Sequence, residues 1–146
     1  MKVIIEKLDN IFKMNNEFLE KFNEDKMKLR IPKVRSNTIG SQIACIARAR
    51  DAYSKCILED RKFSWEPDFP YEDRYDSEKV LKHLNKVGEN LIKELSSVND
   101  LSDNQMDLIL DLIGHEYLHQ GQLVRYIYAN NLEMPTGIKS FWHLED

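Results

Sequence analysis

The chain lacks most of the features that mark specialised sequence classes. No stretch approaches the roughly 18 consecutive apolar residues that a membrane-spanning helix needs, so no membrane partner is expected. The first segment, MKVIIEKLDNIFKMNNEFLEKF, is interrupted by Glu6, Lys7 and Asp9. No apolar core of signal-peptide length survives that interruption, and the expected location is the cytoplasm. There is no block of basic residues. Lys and Arg number 21 against 25 Asp and Glu, a formal net charge of −4 with both signs spread along the chain. That excludes an extended nucleic-acid footprint. With two cysteines, the chain is not a disulfide scaffold. Cys45 and Cys56 fall in one predicted helix, where eleven positions at about 1.5 Å each separate them by about 16 Å. A bridge needs Cα atoms within about 7 Å, so both are thiols. No segment alternates apolar and polar residues long enough to argue a strand, and there is no internal repeat or low-complexity tract.

What is present is a helical period almost throughout. Ile4, Leu8, Ile11, Phe12, Phe18, Leu19 and Phe22 recur at spacings of three, four or their sums, which predicts one long helix over about residues 2–25. Pro32 marks a connection in which Ser36 or Asn37 is placed to cap the next helix. That second helix is predicted from about Thr38 to Leu58. Ile39, Ile43, Ile46, Arg50, Tyr53 and Ile57 form one stripe, and Gln42, Cys45, Ala49 and Cys56 an adjoining one. Ala44, Ala47, Ala49 and Ala52 permit close approach of neighbouring helices. Residues 60–76, DRKFSWEPDFPYEDRYD, break the period with two prolines and five aromatics. The expectation is a loop that plugs one end of the core with Phe63, Trp65 and Phe69; a substrate lid is the alternative.

A third helix is predicted from near Ser77 to near Ser97, with Val80, Leu81, Leu84, Val87, Leu91, Ile92 and Leu95 in its stripe and His83 beside it. The fourth has a defined start, because Ser102 and Gln105 make a capping-box pattern with Leu101 and Met106 as the flanking staple. It continues to about Ala129, where Asn130 and Asn131 can take a left-handed cap and Pro135 prevents continuation. Phe141 and Trp142 in the tail fold back on the helices or on a second subunit. The expected architecture is all-α: a four-helix bundle forming a single domain over residues 1–146, with a long connection between helices 2 and 3.

Chemistry concentrates in the fourth helix. Leu108, Leu112, His115, His119, Gln122 and Tyr126 share one stripe, so the two histidines continue the line of two core leucines. Buried imidazoles need partners. Side chains four apart project about 40° from one another and about 6 Å along the axis, close enough for both rings to meet one ion. A third ligand must come from elsewhere. Cys45, near the middle of the second helix with Gln42 one turn before it, is either a thiolate ligand or a small core residue. A Cys/His set favours zinc, and imidazole also suits nickel.

The segments SNTIGSQIACIARARDAY and LIGHEYLHQGQLVRYIYANNLEMP resemble the DinB-like family, four-helix-bundle proteins described as metalloenzymes, and the resemblance covers most of the chain. It implies a metal held by one histidine of the second helix and an H-x3-H pair of the fourth. His115 and His119 match that pair, whereas the family's first histidine falls at Cys45. The thiolate then either replaces the imidazole, or the site has lost its metal. Some relatives transfer low-molecular-weight thiols such as bacillithiol or mycothiol onto electrophiles, and the family is commonly dimeric, so a homodimer is implied.

Three functional readings follow. The first is a metal-dependent hydrolase or thiol transferase acting on a small molecule. His115, His119 and Cys45 are its metal ligands, and Gln42, Arg50, Gln122 and Tyr126 are its substrate-pocket candidates. The second takes His115-Glu116-Tyr117-Leu118-His119 as a zinc-protease H-E-x-x-H motif, with Glu116 as general base and His143 or Glu133 as third ligand. The third is a metal-free module that binds a small molecule or a protein, with the imidazoles hydrogen-bonded to Gln42 or to carboxylates.

Overall fold

A computed structural model describes residues 1–145. The helices are α1 (Lys2–Lys21), α2 (Glu24–Met27), α3 (Ile39–Leu58), α4 (Ser77–Ser97), α5 (Asp103–Ala129) and α6 (Thr136–Trp142), with one 3-10 turn at Tyr71–Asp73. No strand occurs among the described residues, and no helix there is long and apolar enough to cross a membrane.

Capping chemistry sets most of the boundaries. Asp76 accepts the Lys79 amide at 3.0 Å and starts α4. Ser102 and Gln105 close the reciprocal capping box of α5. At its other end Asn131 takes a left-handed conformation, with φ of 51°. Two expectations are corrected. The predicted helix over residues 2–25 stops at Lys21, because Phe22 turns extended and Asn23 caps a separate turn by accepting the Lys26 amide at 3.0 Å. That turn drives Met27 into the core. The cap of α3 is Thr38, which accepts the Ser41 amide at 3.1 Å. Ser36 instead takes the Ile31 amide, and the Asn37 carbonyl takes the Tyr126 hydroxyl.

The four long helices pack in a closed cycle: α3 lies against α4 and α5, and α1 lies against α5 and α4. The alanines of α3 (Ala44, Ala47, Ala49 and Ala52) are all fully buried where these helices meet. α6 folds back onto α1, where the Gly137 amide donates to Glu17 Oε2 at 3.0 Å. A Cβ at Gly137 would collide with that carboxylate. The connection between α3 and α4 does not plug the core with all three expected rings. Only Phe69 is buried; Phe63 stacks on Tyr53 with centroids 4.4 Å apart, and Trp65 is 49 % exposed. The charge of this connection explains the difference, because its polar residues hold the chain at the surface. Asp51 at the rim of α3 accepts the Asp68 and Phe69 amides and seats that one ring.

The core divides into two apolar clusters. Between them each long helix places a different kind of residue: Asn15 on α1, Arg50 on α3, Gly88 on α4, Glu116 and Gln120 on α5. This polar layer crosses the middle of the molecule. Arg50 and Glu116 are both wholly buried. Arg50 Nε and Nη2 donate to the two Glu116 oxygens at 2.8 and 3.0 Å, and its Nη1 donates to Asn16 Oδ1 and to the Leu84 carbonyl. The guanidinium lies 4.0 Å from the Phe12 ring centroid. A Cβ at Gly88 would sit 3.0 Å from Phe12 Cδ2, so the glycine admits that ring and the arginine behind it. Asn15 donates to Glu116 Oε2 at 2.6 Å and accepts from Gln120, which in turn accepts from Trp142 Nε1 on α6. Nearly every polar atom in the layer is paired, as a buried network requires.

Candidate metal centre

One face of α5 and one of α3 meet at the edge of that layer. His115 and His119, one turn apart, direct both Nε2 atoms to the same place, 3.2 Å from each other. Cys45 reaches it from α3, with Sγ 3.6 Å from His115 Nε2. All three atoms lie within 4.8 Å of one another, close enough to hold a metal ion. A tetrahedral zinc ion, with bonds of about 2.0–2.1 Å to nitrogen and about 2.3 Å to sulfur, separates its ligands by about 3.3 Å (N to N) and about 3.6 Å (N to S). The two measured separations match both values. No other grouping of three His, Cys, Asp or Glu ligand atoms occurs among the described residues.

The protonation states suit a ligand set. His119 Nδ1 lies 2.7 Å from Gln42 Oε1. With the amide oxygen as acceptor, the imidazole proton resides on Nδ1, and the Nε2 lone pair is free to face the cluster. Desolvation first, and the neighbouring His115 second, hold the His119 pKa down at about 4. Desolvation also lowers that of His115. Both rings are therefore neutral near pH 7. Burial pushes the Cys45 thiol up, while the positive charge of Arg48 pulls it back. Without a metal the thiol keeps its proton, and ligation would have to release it.

His115 is less well served. Its Nδ1 is buried without a hydrogen-bond partner. An unpaired buried group of this kind costs about 1–3 kcal/mol.

The substrate-pocket candidates separate. Gln42 belongs to the site through His119. Gln122 lies within hydrogen-bonding reach of His119 and favours its charged form. Arg50 and Tyr126 do not belong. The guanidinium of Arg50 is consumed by Glu116, and the Tyr126 hydroxyl donates to the Asn37 carbonyl at 2.8 Å. Both lie on the α3 and α5 stripes, but those stripes wrap around the helices: Arg50 reaches inward to α5, and Tyr126 reaches the connection before α3.

The protease reading is overturned. Glu116 spends its carboxylate on Arg50 and Asn15, on a different side of α5 from the imidazoles. Glu133 is paired with Lys21 at 2.9 Å, and His143 ends α6. His83 lies against Phe69 and 3.6 Å from Asp51. None of the three joins the cluster. A groove of about 910 Å³ between α3 and α4, lined by Asp51, Lys55, Leu81 and Lys86 among others, contains neither the thiol nor the imidazoles.

Some participants were not foreseen. Asn15 could have been noticed as a polar residue on the apolar stripe of α1. Arg48, whose charge acts on Cys45, carries no local signal. No protein-family model, no curated protein and no solved structure matches this chain.

Proposed function

We propose that this is a DinB-like four-helix-bundle protein in which Cys45, His115 and His119 bind a divalent metal, zinc before nickel, for hydrolysis or thiol transfer on a small molecule. The observation that carries the reading is the pair of ligand separations, 3.2 Å and 3.6 Å, set by two different helices. Three protein ligands leave a fourth position, the pattern of catalytic rather than structural zinc. An ion held there supplies Lewis acidity that activates a water or a thiol near neutral pH. Gln42 fixes the tautomer and tilt of His119. Arg48 lowers the cost of a thiolate at Cys45. The closed cycle of helices supports the bundle assignment, and a homodimer is part of the same reading.

The experiment is elemental analysis of protein purified with and without zinc or nickel supplementation. About one equivalent is expected in the wild type, with loss in His115→Ala and His119→Ala. Cobalt substitution should show a sulfur-to-cobalt charge-transfer band that disappears in Cys45→Ser. Stoichiometric metal in both alanine variants would refute the proposal.

A metal-free binding module is the second reading, and the same contacts favour it in one respect. A separation of 3.2 Å is also an ordinary hydrogen bond. With His119 Nδ1 donating to Gln42, the His115 Nε2–H would then have to be shared between His119 and the Cys45 sulfur. Less than a tenth of an equivalent of metal after supplementation would decide for this alternative.

A further inference from the structure

Arg48 stands one turn after Cys45 on α3, and Ser41 one turn before it. The Arg48 guanidinium lies over two rings of the α3–α4 connection, 5.6 Å from the Trp65 centroid and 5.8 Å from that of Tyr71. Tyr71 is tied back to α3, its hydroxyl donating to Ser41 Oγ at 3.0 Å. The connection therefore forms a wall beside the cysteine, with both rings partly open to solvent. Among the described residues no ion pair joins Arg48 to a carboxylate, whereas Arg50 is paired with Glu116 and Arg61 with both Glu59 and Glu66. Arg48 Nε is buried and unpaired. The Arg48 charge acts directly on the Cys45 thiol, so an unpaired cationic donor flanks the cluster. Aromatic rings attract a guanidinium without using its N–H donors, and a planar N–H fork matches the oxygens of a carboxylate or a phosphate.

We propose that Arg48 is the anion-binding residue of this site, taking the carboxylate or phosphate of a small molecule whose other end reaches Cys45, His115 and His119. The ligand class is then an anionic small molecule, and where the metal reading above also holds, an anionic thiol. Lysine would not serve equally, because a point charge neither stacks on the two rings nor offers paired donors.

Two measurements keep this inference distinct from the metal reading. In metal-free protein, acetate and inorganic phosphate are titrated separately while the Trp65 indole N–H signal is followed by NMR, with Trp142 as internal control. A saturable shift in the millimolar range with one of the two anions is expected, and which one responds identifies the group. In Arg48→Gln the shift should vanish. No response to either anion, or an unchanged response in Arg48→Gln, would overturn the proposal. In cobalt-loaded protein, binding of 3-mercaptopropionate and 2-mercaptoethanol is read from the cobalt absorption. The anionic thiol should bind about tenfold more tightly or better, a preference abolished in Arg48→Gln and partly kept in Arg48→Lys. Equal affinities with cobalt bound would also overturn it. If no cobalt binds, the metal reading fails and the anion titration alone decides.

Discussion

Replacing Glu116 by Gln tests whether this residue builds the fold or performs chemistry. The substitution preserves shape and removes one charge. In the native protein both Glu116 oxygens accept from Arg50, at 2.8 and 3.0 Å, and Oε2 also accepts from Asn15 at 2.6 Å. After substitution one acceptor becomes an NH2 group that faces the guanidinium in either orientation, and the Asn15 amide as well if it takes the Oε2 place, donor against donor. A guanidinium with no exposed surface is left without its counter-charge. Breaking a buried pair on one side costs about 3–5 kcal/mol, because the abandoned charge is not resolvated. The loss is a large share of the roughly 5–15 kcal/mol that holds a domain of this size together. Urea unfolding followed by circular dichroism should show the midpoint falling by that free energy divided by the slope, with the slope itself unchanged. Metal stoichiometry, measured below the new transition, should be unaffected. A stable Glu116→Gln protein, within about 1 kcal/mol of wild type, would refute the structural account. Loss of metal with unchanged stability would return Glu116 to the site.

Three further outcomes follow from the same geometry. Gln42→Leu removes the acceptor for His119 Nδ1 and should weaken metal affinity about 10- to 100-fold by competition titration, with little change in fold. Metal-free protein should lose stability as pH falls. His119 titrates at about 4 when folded and near 6.5 when unfolded, so the unfolded chain binds more protons between those values. Its contribution is present above pH 6.5 and lost as pH falls toward 4, about 2 kcal/mol between pH 7 and 4.5; unfolding of His119→Gln at the two pH values should show a correspondingly smaller loss. Gly88→Ala should destabilise by about 1–3 kcal/mol in thermal unfolding, despite alanine's better helix propensity, because its methyl group presses on Phe12 at 3.0 Å.

Much of the helical layout was legible because it depends on relations within a few residues. The start of α4 at Ser77 and the capping box at Ser102 rest on side chains bonding to a nearby backbone, and the left-handed residue at Asn131 on asparagine's tolerance of positive φ. The stripe that turns His115 and His119 to one side follows from 3.6 residues per turn. The misjudged boundary at Lys21 has the same local origin, since Asn23 competes for the backbone where the apolar period alone predicts continuation. Phe63 and Trp65 were misplaced for another reason: hydrophobicity identifies rings that can be buried, not which ones find a cavity.

Sequence alone determined the period, the capping box of α5 and the pair of imidazoles on one stripe, because each is a property of one helix. Tertiary structure decided which helices face each other and at what height. That height puts Cys45 rather than Gln42 at 3.6 Å from His115, and it joins Arg50 to Glu116 across 66 positions of chain. It also lays Arg48 across Trp65 and Tyr71. These registers come from many weak contacts summed over whole interfaces, from alanines that let α3 approach its neighbours and a glycine that admits Phe12. No short stretch of chain holds that sum.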